Sequence, residues 1–316
     1  MRFIYALLFL LCGTAAAQEQ YPTRPVHLVV PYTPGTGADI LARVFGPKLA
    51  ERMKAGFVVD NRPGDTGNIG AAQVAKSPPD GYALLLTATS FSTNPALKPA
   101  PFDPVKDFAP VILLATGALG VYGHPQVPAK SMREFVELVR SQPGKLHYSS
   151  PGNGGPQHLA MELLKLDTKI DIVHVPYKGA GGAIADLVGG HVQAMVSALQ
   201  TVAPHVNAGR LRPLGVMSAK RAEAFPNVPT LREQGFADLE VETYYAMFAP
   251  AGTPPAIVTR LNRELNEFLK QADVRDVLEK QGLVPEGGAP QVLGERVKME
   301  LARWTRVVKA AGIKAD

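Results

Sequence analysis

The sequence predicts an α/β protein made of two lobes, each a parallel sheet covered by helices. Short β-branched or apolar runs alternate along the chain with runs of helical periodicity. A glycine-rich turn between such a strand and such a helix occurs twice, in residues 27–46 and 145–164. Two long extended segments flank the second set of elements. Together these features favour two α/β lobes joined by a hinge.

The first unit contains three predicted strands separated by predicted helices. The strands are short and apolar or β-branched, and helices between strands are typical of a parallel sheet. The predicted strands are 26–31, 57–60 and 82–87, and the predicted helices are 40–53 and 69–76.

The second unit repeats this alternation. It begins with the strand that enters the second glycine turn, and its helices again lie between strands. The predicted strands are 146–149, 171–175, 192–197 and 214–218, and the predicted helices are 156–165 and 182–188.

The extended segments 109–123 and 239–250 are predicted to cross between the lobes. Two independent domains with one linker are the alternative. The stretch after Pro250 disfavours it, because this stretch is mostly helical and needs a sheet to cover. We therefore assign 18–121 and 246–316 to the first lobe, and 122–245 to the second.

The N-terminus is typical of an export signal. Arg2 precedes the apolar run 3–11, and an A-x-A site ends at Ala17. The run is shorter than the ~20 apolar residues of a membrane span. Cleavage after Ala17 would remove Cys12, the only cysteine, so we expect no disulfide and no cysteine-based site in the mature protein.

Composition argues against several classes of function. The net charge of +5 is spread along the chain without a lysine–arginine run, so nucleic acid is not an expected partner. The pairs Gly35–Gly37 and Gly179–Gly181 lack the third glycine of a dinucleotide-binding turn. The seven histidines show no metal-ligand spacing. We expect no metal and no cofactor.

Both glycine turns can serve as half-sites for an anion. Each directs free backbone N–H groups and the positive end of a helix at one spot. Tyr32 and Thr33 end the strand before the first turn and are expected to point into the same space. Asp39, in the first helical turn, either complements the helix dipole or holds a water or a donor group of a ligand.

Other polar residues are expected at the same cleft. Thr89 and Ser90 follow the third strand, and Ser197 ends a strand of the second unit. Polar residues at the carboxyl ends of strands suit a ligand crevice. Tyr244 and Tyr245 lie on the returning crossing, where they either floor the cleft or pack in the core.

Nucleophilic catalysis is a weaker hypothesis. Ser149 and Ser150 end a strand before a glycine turn, but no G-x-S-x-G motif is present. His158 follows the turn and either lines the cleft or is packed, whereas His174 is expected to be structural. No acidic residue is an evident partner for the histidine, so an exported serine hydrolase ranks below a binding protein.

Several strings in order along the mature chain resemble the Bug proteins, the extracytoplasmic solute receptors of tripartite tricarboxylate transporters. They include PYTPGTGADILAR, DNRPGDTGNIGAAQVAKSPPDGYALLL, VPYKGAGGAIADLVGGHVQAM and ARWTRVVKAAGIKAD. The resemblance covers the whole mature chain.

The resemblance implies a type II periplasmic binding fold, whose two lobes close on a small carboxylate held by backbone amides, hydroxyls and ordered water. It implies a periplasmic, non-enzymatic receptor that serves a membrane transporter or a sensor, and we expect a monomer that is not embedded in a membrane. The candidate ligand-binding residues are Tyr32, Thr33, Pro34, Gly35, Thr36, Gly37, Asp39, Thr89, Ser90, Ser150, Gly152, Asn153, Gly154, Gly155, His158, Ser197 and Tyr244.

Three positions depart from the pattern of the family. Thr36 replaces a common glycine, Gly155 replaces a frequent serine, and Ser197 stands where many relatives have aspartate. Loss of that carboxylate makes an amino-acid ligand less favourable, because a buried ammonium group needs an acidic partner.

Overall fold

The computed structural model describes residues 21–314. The predicted export signal, with its cysteine, lies outside these residues. The first set of strands is parallel, as predicted: β1 pairs with β2 on one side and with β3 on the other. Its elements are β1 (Val26–Val30), α1 (Gly37–Met53), β2 (Phe57–Asn61), α2 (Asn68–Ala75), β3 (Ala83–Ala88) and α3 (Ser90–Leu97). Helix α3 was not predicted from the sequence.

A long strand, β4 (Phe108–Gly123), changes partners along its length. Its first part, through Ala118, pairs antiparallel with β9 (Glu242–Pro250). From Leu119 onward it pairs with strands of the second set. Leu239 and Val241, just before β9, lie in the core of the second set. Both extended segments therefore run from one set of strands to the other, as predicted.

The second set of parallel strands is ordered β7, β5, β6. Helix α4 begins at a side-chain cap, because the Ser131 hydroxyl accepts a hydrogen bond from Glu134 N. The elements are α4 (Met132–Ser141), β5 (His147–Ser150), α5 (Pro156–Thr168), β6 (Val173–Pro176), α6 (Ala180–Val188), β7 (Ala194–Ala198), α7 (Leu199–Asn207) and β8 (Arg212–Val216).

The C-terminal elements are α8 (Pro255–Leu269), α9 (Ala272–Lys280), β10 (Leu283–Pro285) and α10 (Pro290–Ala311). Helix α10 packs against both sets of strands. Leu293 and Val297 belong to a cluster with β3 and β9 residues, whereas Trp304 and Val307 belong to the cluster around β5 and α5. We call β1–β3, β9, β10 and the first part of β4 the first lobe, and β5–β8 with the rest of β4 the second lobe. The residue boundaries assigned to the lobes above stay a prediction.

The strand registers direct the carboxyl ends of both parallel sets at the middle of β4. Strand β3 ends at Ala88, which lies opposite Tyr245 of β9, and Tyr245 lies opposite Ala115 of β4. Strand β7 runs in the opposite sense and ends at Ala198, opposite Leu119. Ala115 and Leu119 are only four residues apart, roughly 13 Å along a strand. The turns that follow β1 and β5 are therefore brought to opposite sides of the middle of β4.

Candidate functional site

The first glycine turn joins β1 to α1 and leaves the helix without a side-chain cap. Gly35 has φ +84°, a left-handed conformation that favours glycine. The Thr36 hydroxyl occupies the N-cap position but donates to Thr33 O at 3.0 Å instead of capping the helix. The first intrahelical bond runs from Ile40 N to Thr36 O. Because Gly35 N and Thr36 N donate within the turn, the amides of Gly37, Ala38 and Asp39 are the donors that an anion can use.

Asp39, in the first turn of α1, stabilises the glycine turn by hydrogen bonding. Its side chain is buried, and its carboxylate accepts hydrogen bonds from Gly35 N at 2.9 Å and from Asn61 Nδ2 at 3.0 Å. Arg43 forms an ion pair with it, at 3.0 Å from Nη2 to Oδ1. The hydrogen bond from Arg43 is the largest cause that lowers the pKa of Asp39, to about 2. Both oxygens are engaged by the turn and its neighbours, and a direct contact with ligand stays a prediction.

Asp39→Asn is expected to destabilise the protein by about 1–2 kcal/mol at pH 7, because one pKa unit is worth about 1.4 kcal/mol and the half-exposed Arg43 is screened by solvent. A lowered pKa contributes stability above the usual pKa of 3.8, and this is lost as the pH falls toward about 2. Urea unfolding of wild type and Asp39→Asn at pH 7 and pH 3 measures this contribution to stability. Arg43→Met is the control, because it removes the largest cause of the lowered Asp39 pKa. A difference between wild type and Asp39→Asn that does not shrink at pH 3 would contradict this account.

Tyr32 turns back toward β3. Its hydroxyl lies 2.6 Å from Ser90 Oγ and 3.0 Å from Thr87 Oγ1, and it accepts a hydrogen bond from Ala88 N. Burial raises the pKa of this hydroxyl. Tyr32, Thr87 and Ser90 therefore form one polar network that joins the first turn to the carboxyl end of β3.

The two tyrosines of β9 have different surroundings. Tyr244 is fully buried; its N–H donates to Thr89 Oγ1 at 2.8 Å and its hydroxyl donates to Ser92. Tyr245 is partly exposed, and a Cβ atom at Gly37 would lie 2.4 Å from its hydroxyl oxygen. Tyr245 thus lies beside the first turn, whereas Tyr244 packs in the core against α3. The assignment of Tyr244 as a ligand contact stays a prediction.

The second glycine turn joins β5 to α5. Gly154 has φ +71°, Gly155 is the N-cap without a side-chain cap, and Pro156 begins the helix. Gly154 N donates to His158 Nδ1 at 2.9 Å, so this imidazole lies behind the turn. Asn153 Nδ2 donates to Lys314 O at 2.8 Å, which ties the turn to the segment that follows α10.

Three serines of the second lobe are buried near this turn. Ser149 Oγ donates to Ala183 O at 3.0 Å. Ser150 Oγ donates to Gly152 O at 2.9 Å and lies 2.7 Å from His174 Nε2. Ser197 lies at the end of β7, opposite Gly120 of β4. Ser150 is thus paired with His174, and not with the His158 of the hydrolase hypothesis.

A further turn of the first lobe, at Asp65–Gly67, lies beside Tyr32 and was not predicted as part of the site. Asp65 and Thr66 have φ +46° and +53°, and a β-branched residue rarely adopts this conformation. Thr66 O accepts a hydrogen bond from Asn94 Nδ2 at 2.9 Å, and Gly67 packs against the Tyr32 ring. Backbone strain of this kind is frequent where a ligand is clamped. Gly64 and Gly67, which flank Asp65 and Thr66, were the sequence feature from which this turn could have been predicted.

The two lobes touch beside the second turn. Leu97, the last residue of α3 in the first lobe, packs against the second-lobe core. A Cβ atom at Gly154 would lie 2.8 Å from Leu97 Cδ1. Glycine at position 154 therefore meets two requirements: the turn needs a left-handed backbone there, and Leu97 of the other lobe leaves no room for a side chain.

Residues 21–314 lack the features of a membrane span and of a metal site. Within that part of the chain, none of the helices combines the length and apolar character that crossing a membrane requires. The same residues contain no group of three or more histidine, cysteine, aspartate or glutamate side chains placed to hold a metal ion.

A family model and a curated relative both match most of this chain. The family model described as "tripartite tricarboxylate transporter family receptor" matches residues 41–313. BugT of Bordetella pertussis is 34% identical over 307 residues, which cover 96% of this chain and 94% of BugT.

Solved structures agree in fold. Rpa4515 of R. palustris, solved with adipate, is 37% identical with a TM-score of 0.76, and the match covers 93% of this chain and 99% of that one. MatC of Rhodopseudomonas palustris, solved with bound malate, is 32% identical with a TM-score of 0.73, over 91% of this chain and all of MatC. The predicted fold of a periplasmic binding protein is confirmed, and such relatives are solute-binding receptors and not enzymes. This chain belongs to the tripartite tricarboxylate transporter receptor family.

Proposed function

We propose that this protein captures one small organic carboxylate between its two lobes in the periplasm and delivers it to a transporter of the tripartite tricarboxylate type. The observation that supports this most strongly is the convergence of two glycine turns, each at a helix start without a side-chain cap, on the middle of β4. Each turn supplies backbone donors and a partial positive charge. An anion gripped from both sides would stabilise the closed form.

The chemistry of the cleft favours a carboxylate. Its candidate residues supply amides, hydroxyls and aromatic rings, and the carboxylate of Asp39 is held by Arg43 and Asn61. Ser197 offers no negative charge to an ammonium group, so a carboxylic acid without an amino group suits the cleft better than an amino acid. Relatives named with adipate and malate support dicarboxylates as the first class to test.

Two alternatives make different predictions. A receptor that feeds a signalling protein would bind the same ligand, and genome neighbourhood separates it from a transport receptor. A serine hydrolase requires turnover of an ester or amide and its loss on Ser150→Ala. The Ser150 hydroxyl donates within its own turn, to Gly152 O, and this disfavours a nucleophilic role.

A thermal-shift screen of mono-, di- and tricarboxylates, with glutamate and aspartate as amino-acid controls, tests the proposal. A ligand present at 100 times its Kd stabilises the folded state by about 2.7 kcal/mol, so the melting temperature should rise by about 4 °C. Native mass spectrometry of the protein purified without added ligand identifies any acid that it retains. The absence of a shift with every acid, together with tight binding of an amino acid, would overturn the proposal.

A further inference from the structure

We propose that His158 and His174 are positioning residues, which together hold the second glycine turn in the conformation that receives the ligand. Neither imidazole ring is assigned to contact the ligand itself. The inference rests on the proposed function for its effect on affinity, whereas its effect on the turn can be measured in the ligand-free protein.

The two imidazole rings form a stack that joins a helix to a strand. His158 is on α5 and His174 is on β6; their ring centroids are 3.9 Å apart and their planes differ by 9°. The Tyr148 ring of β5 continues the stack at 4.8 Å from His174. The Tyr148 hydroxyl donates to Glu162, which also pairs with Lys165 at 2.7 Å. The stack is therefore anchored in the second-lobe core.

Each ring holds a different end of the turn. His174 Nε2 lies 2.7 Å from Ser150 Oγ, where the turn begins, and His158 Nδ1 accepts the hydrogen bond from Gly154 N, where the turn enters α5. Because the rings are stacked on one another, the distance between the two ends of the turn is set by the stack. A glycine-rich turn has little stiffness of its own, so this external support is needed to fix its free amides.

The hydrogen bonds also define which atoms donate. A hydroxyl has a single proton, and that of Ser150 points to Gly152 O at 2.9 Å. With the Ser150 proton assigned to Gly152 O, we assign His174 as the Nε2–H donor to Ser150 Oγ, while His158 accepts through Nδ1. Ser150 Oγ also accepts from Gly152 N, at 3.3 Å. All these hydrogen bonds of the Ser150 hydroxyl are with the turn or with His174. We therefore assign the hydroxyl to shaping the turn and not to donating to the ligand.

Variants that separate stacking from hydrogen bonding test the inference. His158→Phe and His174→Phe keep an aromatic ring in the stack but remove the hydrogen bond to the turn, and His174→Gln restores a donor without the ring. His124→Phe is the matched control, because His124 Nδ1 also accepts a backbone hydrogen bond, from Gln126 N at 3.3 Å, in a turn away from the cleft.

Hydrogen exchange of the ligand-free protein is the first measurement. We expect the backbone amide of Gly154 to exchange about three- to tenfold faster in His158→Phe, the range that the loss of one hydrogen bond produces. The His124→Phe variant should leave the peptide that covers residues 150–158 unchanged. Equal exchange in wild type and His158→Phe would overturn the inference, and this arm stands whether or not a carboxylate binds.

Calorimetry with adipate and with malate is the second measurement. The phenylalanine variants should bind about three- to tenfold more weakly, His174→Gln should recover part of the affinity lost in His174→Phe, and Ser150→Ala should add little when combined with His174→Phe. A purely structural stack predicts a lower melting temperature with unchanged affinity, which would overturn the inference. If neither acid binds wild-type protein, the choice of ligand class fails, and hydrogen exchange alone decides the positioning role.

Discussion

Gly154→Val is expected to weaken carboxylate binding by at least about thirtyfold. Gly154 has φ +71°, and a β-branched residue held there costs about 1–3 kcal/mol. The added Cβ would also meet Leu97 Cδ1 of the other lobe at 2.8 Å, and overpacking typically costs another 1–3 kcal/mol. The second turn would change its shape, and the approach of the two lobes beside it would be blocked. Titration calorimetry with the acid that gives the largest thermal shift measures the loss.

The neighbouring glycine provides the matched control for that experiment. Gly155 has φ −67°, and the nearest atom to a Cβ at this position is 3.7 Å away, an ordinary contact. Gly155→Ala should therefore bind within about threefold of wild type. Adding Leu97→Ala to Gly154→Val should recover only part of the affinity, because the backbone strain remains. Equal affinities for Gly154→Val and Gly155→Ala would contradict the assigned role of Gly154.

Trp304→Ala is expected to lower the free energy of unfolding by about 3–5 kcal/mol, the usual cost of removing a large buried aromatic side chain. Trp304 is fully buried in the second-lobe core, and its Nε1 donates to Glu300 one turn earlier in α10. The truncation leaves a cavity and an unpaired buried carboxylate in the helix that packs on both lobes. Urea unfolding, followed by circular dichroism, measures the effect.

Two variants calibrate that result. Trp304→Phe keeps an aromatic ring and should cost clearly less than Trp304→Ala. Met299→Ala changes a side chain on the same helix that is 64% exposed, and should change stability by no more than about 0.5 kcal/mol. Similar losses for Met299→Ala and Trp304→Ala would mean that α10 is not held by its buried face.

The sequence predicted strands β1–β9 of the two lobes, because short apolar runs and Pro-Gly turns are local signals. The three-residue strand β10 was not predicted. Helix α3 was missed, since its sequence, SFSTNPAL, contains a proline and has no regular polar face. It forms because Phe91 packs into an aromatic cluster with Phe102 and Phe248, contacts that depend on the tertiary fold. The segment that forms helix α10 was assigned to the first lobe as part of a mostly helical stretch, and its contacts with both cores are likewise set by tertiary packing.

The two glycine turns of the candidate site were predictable from the sequence, but the side chains that hydrogen-bond to them from other elements were not. Asp39 is engaged by Asn61, and Ser150 is paired with His174 on a different strand. Such partners are far along the chain, and spacing rules for helices and turns do not reach them. His27 and His174 both lie in strand-like runs, so sequence alone could not single out His174 as the residue beside the turn.

A crystal structure with the most strongly bound carboxylate shows whether both glycine turns hold the same ligand. We expect one ligand whose oxygens lie within hydrogen-bond distance of main-chain N–H groups at the start of α1, among Gly37–Asp39, and at the start of α5, at Gln157 or His158. A bound acid that touches the N–H groups of one lobe alone, or that lies away from the middle of β4, would contradict the account.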